Sequence, residues 1–149
     1  MLSWQVGHAK ITRIVEMDLP LPVMHMREAT AAELRKSRWW LYPHFVGEDA
    51  MPLKLSVQAL LVEAPELSLV VDTCVGNDLP REITGGQSLA TRFLQHLGEV
   101  GWSCGAVDAV VRTHLHVDHV DWNTMLEDGK WVPTFPRARY FIGRREFDF

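Results

Sequence analysis

The chain has 149 residues, 47% of them hydrophobic and 23% charged, the balance of an ordinary soluble globular protein with length for one domain and one core. The formal net charge of −4, with no run of Lys or Arg, argues against a nucleic-acid or anionic-membrane partner. No apolar run reaches membrane-span length, Met1-Leu2-Ser3-Trp4-Gln5 lacks the basic-then-apolar order of a signal peptide, and Cys74 and Cys104 form no CxxC pattern, so the expectation is a cytoplasmic protein with two reduced thiols.

Residues 6–17 (VGHAKITRIVEM) carry β-branched residues in partial alternation and read as a strand, ended by Leu19-Pro20-Leu21-Pro22. Thr30-Ala31-Ala32-Glu33 fits a capping box, and a short helix is predicted over about residues 31–38. The aromatic run Trp39-Trp40-Leu41-Tyr42-Pro43-His44-Phe45 is expected to pack as a loop over an apolar surface, with the wall of an acyl pocket as the alternative. Residues 53–63 and 67–73, separated by Ala64-Pro65-Glu66, read as a hairpin whose second strand ends in Asp72-Thr73 and a Gly-containing loop.

Residues 88–98 place Leu89, Phe93, Leu94 and Leu97 on one face of a helix, stopped by Gly98 or Gly101. Residues 107–112 form the next strand, Asp128-Gly129 marks a tight turn, and residues 138–142 form a further strand. Gly143-Arg144-Arg145-Glu146 opens a helix. The mixed order of strands and helices is α/β, a single domain over 1–149 that looks like part of a larger one.

The chemistry concentrates in Thr113-His114-Leu115-His116-Val117-Asp118-His119, an H-x-H-x-D-H pattern that follows a strand directly. Imidazole and carboxylate are ligands for zinc and related cations. In extended chain, residues i and i+2 project to one side, so His114 and His116 can reach one ion together. Asp118 and His119, adjacent in sequence, turn away from that line. They suit a second ion beside the first, or Asp118 acts on a metal-bound water. The competing reading, solvated loop histidines, fits His8, His25, His44 and His96 better, since each is isolated in sequence.

His114-x-His116-x-Asp118-His119, preceded by Leu67-Ser68-Leu69-Val70-Val71-Asp72-Thr73, resembles the metallo-β-lactamase superfamily. The text from Thr113 through Trp122-Asn123-Thr124 to Trp131-Val132-Pro133-Thr134-Phe135-Pro136 is similar to its lactonase-like hydrolase branch. The resemblance covers roughly residues 55–145. It implies the N-terminal part of an αββα sandwich, a mixed sheet with flanking helices and the site at one edge. It places His114 and His116 on a first zinc and Asp118 and His119 on a second, with Asp72 supporting the histidine loop from behind.

What the resemblance implies for activity is a metal-dependent hydrolase in which a zinc-bound hydroxide attacks a carbonyl, most simply that of a lactone or small ester. A thioester or β-lactam is the alternative substrate, and iron or manganese the alternative metal. Two departures from the family pattern stand out. No histidine follows His119, so the remaining ligands are missing, and Asp121 stands where the branch usually has glycine. The contrasting expectation is a non-catalytic metal-binding fragment or structural half-domain that self-associates or takes a complementing C-terminal half.

Overall fold

The computed structural model describes residues 1–21, 28–50 and 53–148. Pro22, His25 and Phe149 lie outside them. The chain forms two compact units, Met1–Glu16 with Val57–Phe149, and Met17–Ser56. The strands are β1 (Leu2–Val6), β2 (Ala9–Leu21), β3 (Leu53–Ala64), β4 (Leu67–Val71), β5 (Ala109–Val111), β6 (Thr124–Glu127), β7 (Lys130–Pro133) and β8 (Arg139–Phe141). The helices are α1 (Ala31–Lys36), α2 (Arg38–Leu41), α3 (Phe93–Glu99), α4 (Val117–Val120) and α5 (Arg144–Phe147).

The main sheet is mixed, in the order β1-β2-β3-β4-β5-β8. β1 and β2 pair antiparallel, as do β3 and β4; β5 runs parallel to both β4 and β8. The expected strand over 6–17 is thus two strands. Gly7, at φ 59, turns the chain between Val6 and Ala9, and Leu2, Trp4 and Val6 alternate into an edge strand. β2 also runs on through Pro20 to Leu21, which leaves Pro20 in the strand instead of ending it.

The 53–63 and 67–73 hairpin forms in register Leu60↔Val71 to Ala64↔Leu67. Register puts Leu61, Val70 and Val110 on one face of the sheet, and all three are buried. α3 buries Phe93 and Leu97, one turn apart, and Phe93 stacks on Trp122 with ring centroids 5.6 Å apart. The helix begins four residues later than its periodicity suggests, because Thr91 is held from outside: its N–H donates to Asn77 Oδ1 and its carbonyl accepts from Asn77 Nδ2. Asp128 at φ 50 and Gly129 at φ 76 supply the two left-handed residues of the β6–β7 turn.

In the unit Met17–Ser56, Thr30 caps α1 by accepting the Glu33 N–H at 3.2 Å. The reciprocal half of the capping box is absent, and the Glu33 carboxylate bonds Lys36 instead. Leu34, Val46, Ala50 and Leu53 form a small core with Ala29 and Leu41 against it. The aromatic run departs from expectation. It forms α2 and the following turn, and Trp39 is 83% exposed, with Trp40, Tyr42, His44 and Phe45 exposed as well. Among the described residues of the run, Leu41 packs against the small core.

Candidate metal centre

The site lies where the parallel strands β4 and β5 both end, the edge at which α/β sheets present polar groups. Past β4 the chain takes left-handed turns at Asp72 (φ 58), Cys74 (φ 52) and Gly76 (φ 77). Non-glycine residues in that region are uncommon, and Asp tolerates it better than most. Past β5 come Arg112 and the histidine stretch. The two loops are laced together by main-chain bonds: Thr73 N–H to His119 O at 2.8 Å, Trp122 N–H to Thr73 O at 2.9 Å and Asp121 N–H to Cys74 O at 3.0 Å.

Asp72 is the pivot of this arrangement. Its Oδ1 accepts the Thr113 N–H at 2.8 Å, and its Oδ2 accepts the Thr113 hydroxyl at 2.7 Å. The same Oδ2 lies 2.9 Å from His119 Nδ1. Burial alone would raise the Asp72 pKa, but the bonds from Thr113 and His119 outweigh it and hold the carboxyl below its ordinary value. A carboxylate only accepts, so His119 donates to Asp72 from Nδ1, and its Nε2 faces Asp118 Oδ2 at 3.3 Å. The Thr113 hydroxyl, having given its proton to Asp72, accepts from His114 Nδ1 at 3.0 Å, which turns His114 Nε2 towards His116 Nδ1. Asp72 thereby sets two imidazole tautomers, one directly and one through Thr113.

The structure brings all four sequence-predicted groups together. His114 Nε2 lies 3.2 Å from His116 Nδ1, and the His114 and His119 ring centroids are 4.0 Å apart. Asp118 Oδ2 is 3.3 Å from His119 Nε2. The extended-chain argument covers only His114 and His116. At Val117 the chain turns into α4, and that helical turn carries His119 back against His114.

Two ligands at about 2.0–2.1 Å from one tetrahedral zinc lie roughly 3.3 Å apart, so each of the two pairs has the spacing of shared coordination. Among the described residues no three His, Cys, Asp or Glu groups already converge as one metal cage.

Four further residues shape the site without a sequence signal that marks them. Arg81 binds both carboxylate oxygens of Asp121. Asp121 itself has φ −73 and ψ −31, right-handed values any residue adopts. The glycine is needed opposite it, at Gly76, where a Cβ would sit 3.2 Å from the Asp121 Cβ. Glu146 of α5 accepts the Leu115 N–H at 3.3 Å.

Arg112 is 4% exposed, and none of its guanidinium nitrogens has a hydrogen-bond partner among the described residues. Burial pushes it down to about 10, partly offset by the Asp72 charge. The fourth residue is Glu16, whose carboxylate accepts the N–H groups of Val75 and Gly76. Three of the four reach the site from segments distant in sequence, where local spacing carries no information.

A mixed sheet with a histidine-aspartate cluster at the ends of two parallel strands defines an α/β metallohydrolase-like fold. A sequence model of the metallo-β-lactamase superfamily matches residues 53–142, and the chain belongs to that superfamily. Comparison with curated proteins finds no match.

Solved structures share the fold. The hydrolase AbOPH of the β-lactamase superfamily is 21% identical, with TM-score 0.73 over 99% of this chain and 45% of that one. AidC, a dizinc quorum-quenching lactonase solved with the product N-hexanoyl-L-homoserine, is 19% identical, with TM-score 0.72 over 99% and 46%. A probable metal-dependent hydrolase from Staphylococcus aureus is 18% identical, with TM-score 0.74 over 97% and 50%. The chain thus spans about half the length of the solved structures it matches. Among the described residues no helix is long and apolar enough to cross a membrane.

Proposed function

We propose that the protein is a metal-dependent hydrolase acting on the carbonyl of a lactone or small ester, with zinc as the metal and iron or manganese as alternatives. The observation that carries this reading is the Asp72–Thr113–His114 and Asp72–His119 network, which holds both rings by Nδ1 and turns both Nε2 atoms into the cluster of His116 and Asp118. His114 and His116 would hold one ion, and Asp118 and His119 a second. Bound there, zinc supplies Lewis acidity, lowering the pKa of a water towards about 7 and polarising a carbonyl. Asp118, whose Oδ2 is partly exposed beside His119, would orient a water at the site and accept its proton. Asp72 keeps both imidazoles aimed. The lactonase among the similar structures supports the substrate class, and the two free cysteines suit a cytoplasmic setting.

The absence of a converged cage among the described residues favours a second reading, a metal-binding unit completed by a second β layer. That layer would come from a complementing segment or a second copy. It would dock on the sheet face bearing Leu60, Val71, Val111 and Phe141, which register aligns and of which Phe141 is 44% exposed.

Zinc content after dialysis, with hydrolysis of a lactone and an aryl ester, tests both readings. About two ions per chain with turnover supports the hydrolase, bound zinc without turnover supports the binding unit, and loss of all zinc refutes both. His116→Ala should remove zinc and any turnover together; retained zinc would place His116 outside the shell.

A further inference from the structure

We infer that Glu16, in the N-terminal strand β2, is a positioning residue for the metal centre, holding its two loops in register without touching the metal; this rests on the metal-site reading above. Its carboxylate gathers donors from three separate segments. The Val75 N–H reaches Oε2 at 2.7 Å and the Gly76 N–H reaches Oε1 at 3.2 Å. The Trp122 Nε1–H donates to Oε1 at 2.6 Å, and Thr91 Oγ1 lies 3.0 Å from the same oxygen.

The left-handed turns at Cys74 and Gly76 aim successive N–H groups at one point, a concavity that attracts an anion. Glu16 fills it. Its charge lies against the loop that starts at Asp72, and its bond to Trp122 reaches the segment that follows His119. Those are the segments joined by Thr73 N–H to His119 O and Trp122 N–H to Thr73 O. Glu16 thus fixes the distance between Asp72 and the helix that carries Asp118 and His119. It lies outside residues 53–142, so the portion matched by the family does not contain this support.

The test compares zinc affinity, by competition with a chromophoric chelator, and the cobalt absorption spectrum across four chains: wild type, Glu16→Gln, Glu16→Ala and His116→Ala. Urea midpoints of the metal-free proteins are measured alongside. Gln keeps the size but turns one acceptor into a donor facing an N–H. Glu16→Gln should bind zinc about 10–100-fold more weakly, the usual range for groups behind the ligands, with an altered cobalt spectrum. Acetate should restore part of the affinity of Glu16→Ala by filling the vacated anion position.

A purely structural role would lower the urea midpoint and leave zinc affinity of the folded chain unchanged. That result, in Glu16→Gln alone if Glu16→Ala does not fold, overturns the inference. If wild type and His116→Ala take up zinc equally, the metal-site reading itself falls, and the inference with it.

Discussion

Arg81 grips Asp121 with two parallel bonds, Nε to Oδ2 at 2.5 Å and Nη2 to Oδ1 at 2.7 Å. The two ends are unequally wet: the Arg81 side chain is 30% exposed and that of Asp121 8%. Stripping a partner from the drier end costs more, because the remaining charge cannot rehydrate. Arg81→Ala should therefore destabilise by about 1–3 kcal/mol, and Asp121→Ala by less, as read from urea titrations. Asp121→Gly should also destabilise, since its φ of −73 offers glycine no conformational relief. A stabilising Asp121→Gly would contradict this account.

Thr113 and Asp72 should be separable by zinc affinity. Thr113→Val keeps the shape but removes the acceptor for His114 Nδ1, and should weaken zinc binding by about tenfold; Asp72→Asn disturbs both imidazoles and should approach about 100-fold. Thr113→Ser should restore the wild-type value. Chelator competition measures all three, and an unchanged Thr113→Val would remove the hydroxyl from the relay.

The clustering of His114, His116, Asp118 and His119 was legible in sequence because they fall within six residues, and a strand followed by one helical turn folds them locally. The Pro65-Glu66 hairpin and the Thr30 cap were legible for the same reason. The β1 strand was not: five residues with one aliphatic-aromatic face are shorter than a clear period, and Gly7-His8 is a weak turn signal. Glu16 and Arg81 act across 106 and 40 residues of sequence separation, on Trp122 and Asp121, so nothing in their neighbours predicts their partners. The outward-facing tryptophans show the limit of composition, since an aromatic run reads as buried although only Leu41 of it packs against the small core.

Stability should fall at both ends of the pH range for different reasons. Asp72 titrates lower in the folded chain than in the unfolded one, so its contribution is present above the unfolded value near 3.8 and is lost as pH falls through the folded value. Asp72→Asn should flatten that acid limb. Burial pushes the Cys74 thiol up from 9.0, so the unfolded chain releases this proton first and stability declines as pH rises above about 9. Cys74→Ala should reduce the alkaline slope, which Cys104 and Tyr140, also pushed up by burial, share, and should leave the acid limb intact. Urea midpoints of the metal-free chain across pH 2–11 check both signs.

Arg112 carries a buried charge with no hydrogen-bond partner among the described residues. Replacing a buried charged group by a well-packed apolar side chain is often neutral or stabilising, and the Asp72 charge and the Tyr140 ring, 5.8 Å away, compensate this one only in part. Arg112→Met should raise the stability of the metal-free chain by about 1–2 kcal/mol, while Arg112→Ala, which leaves a void as well, should gain less. A marked loss of stability in Arg112→Met would show that the guanidinium has a partner.

The Thr73 amide is bonded to the main-chain carbonyl of His119, so one hydrogen in the strand-end loop records the state of the histidine helix. It exchanges with solvent only when that helix separates from the loop. Deuterium uptake at this single amide therefore works as a gauge of how often the centre opens, readable without substrate, spectroscopic metal or turnover. Slower uptake on adding zinc would time the closing of the site directly.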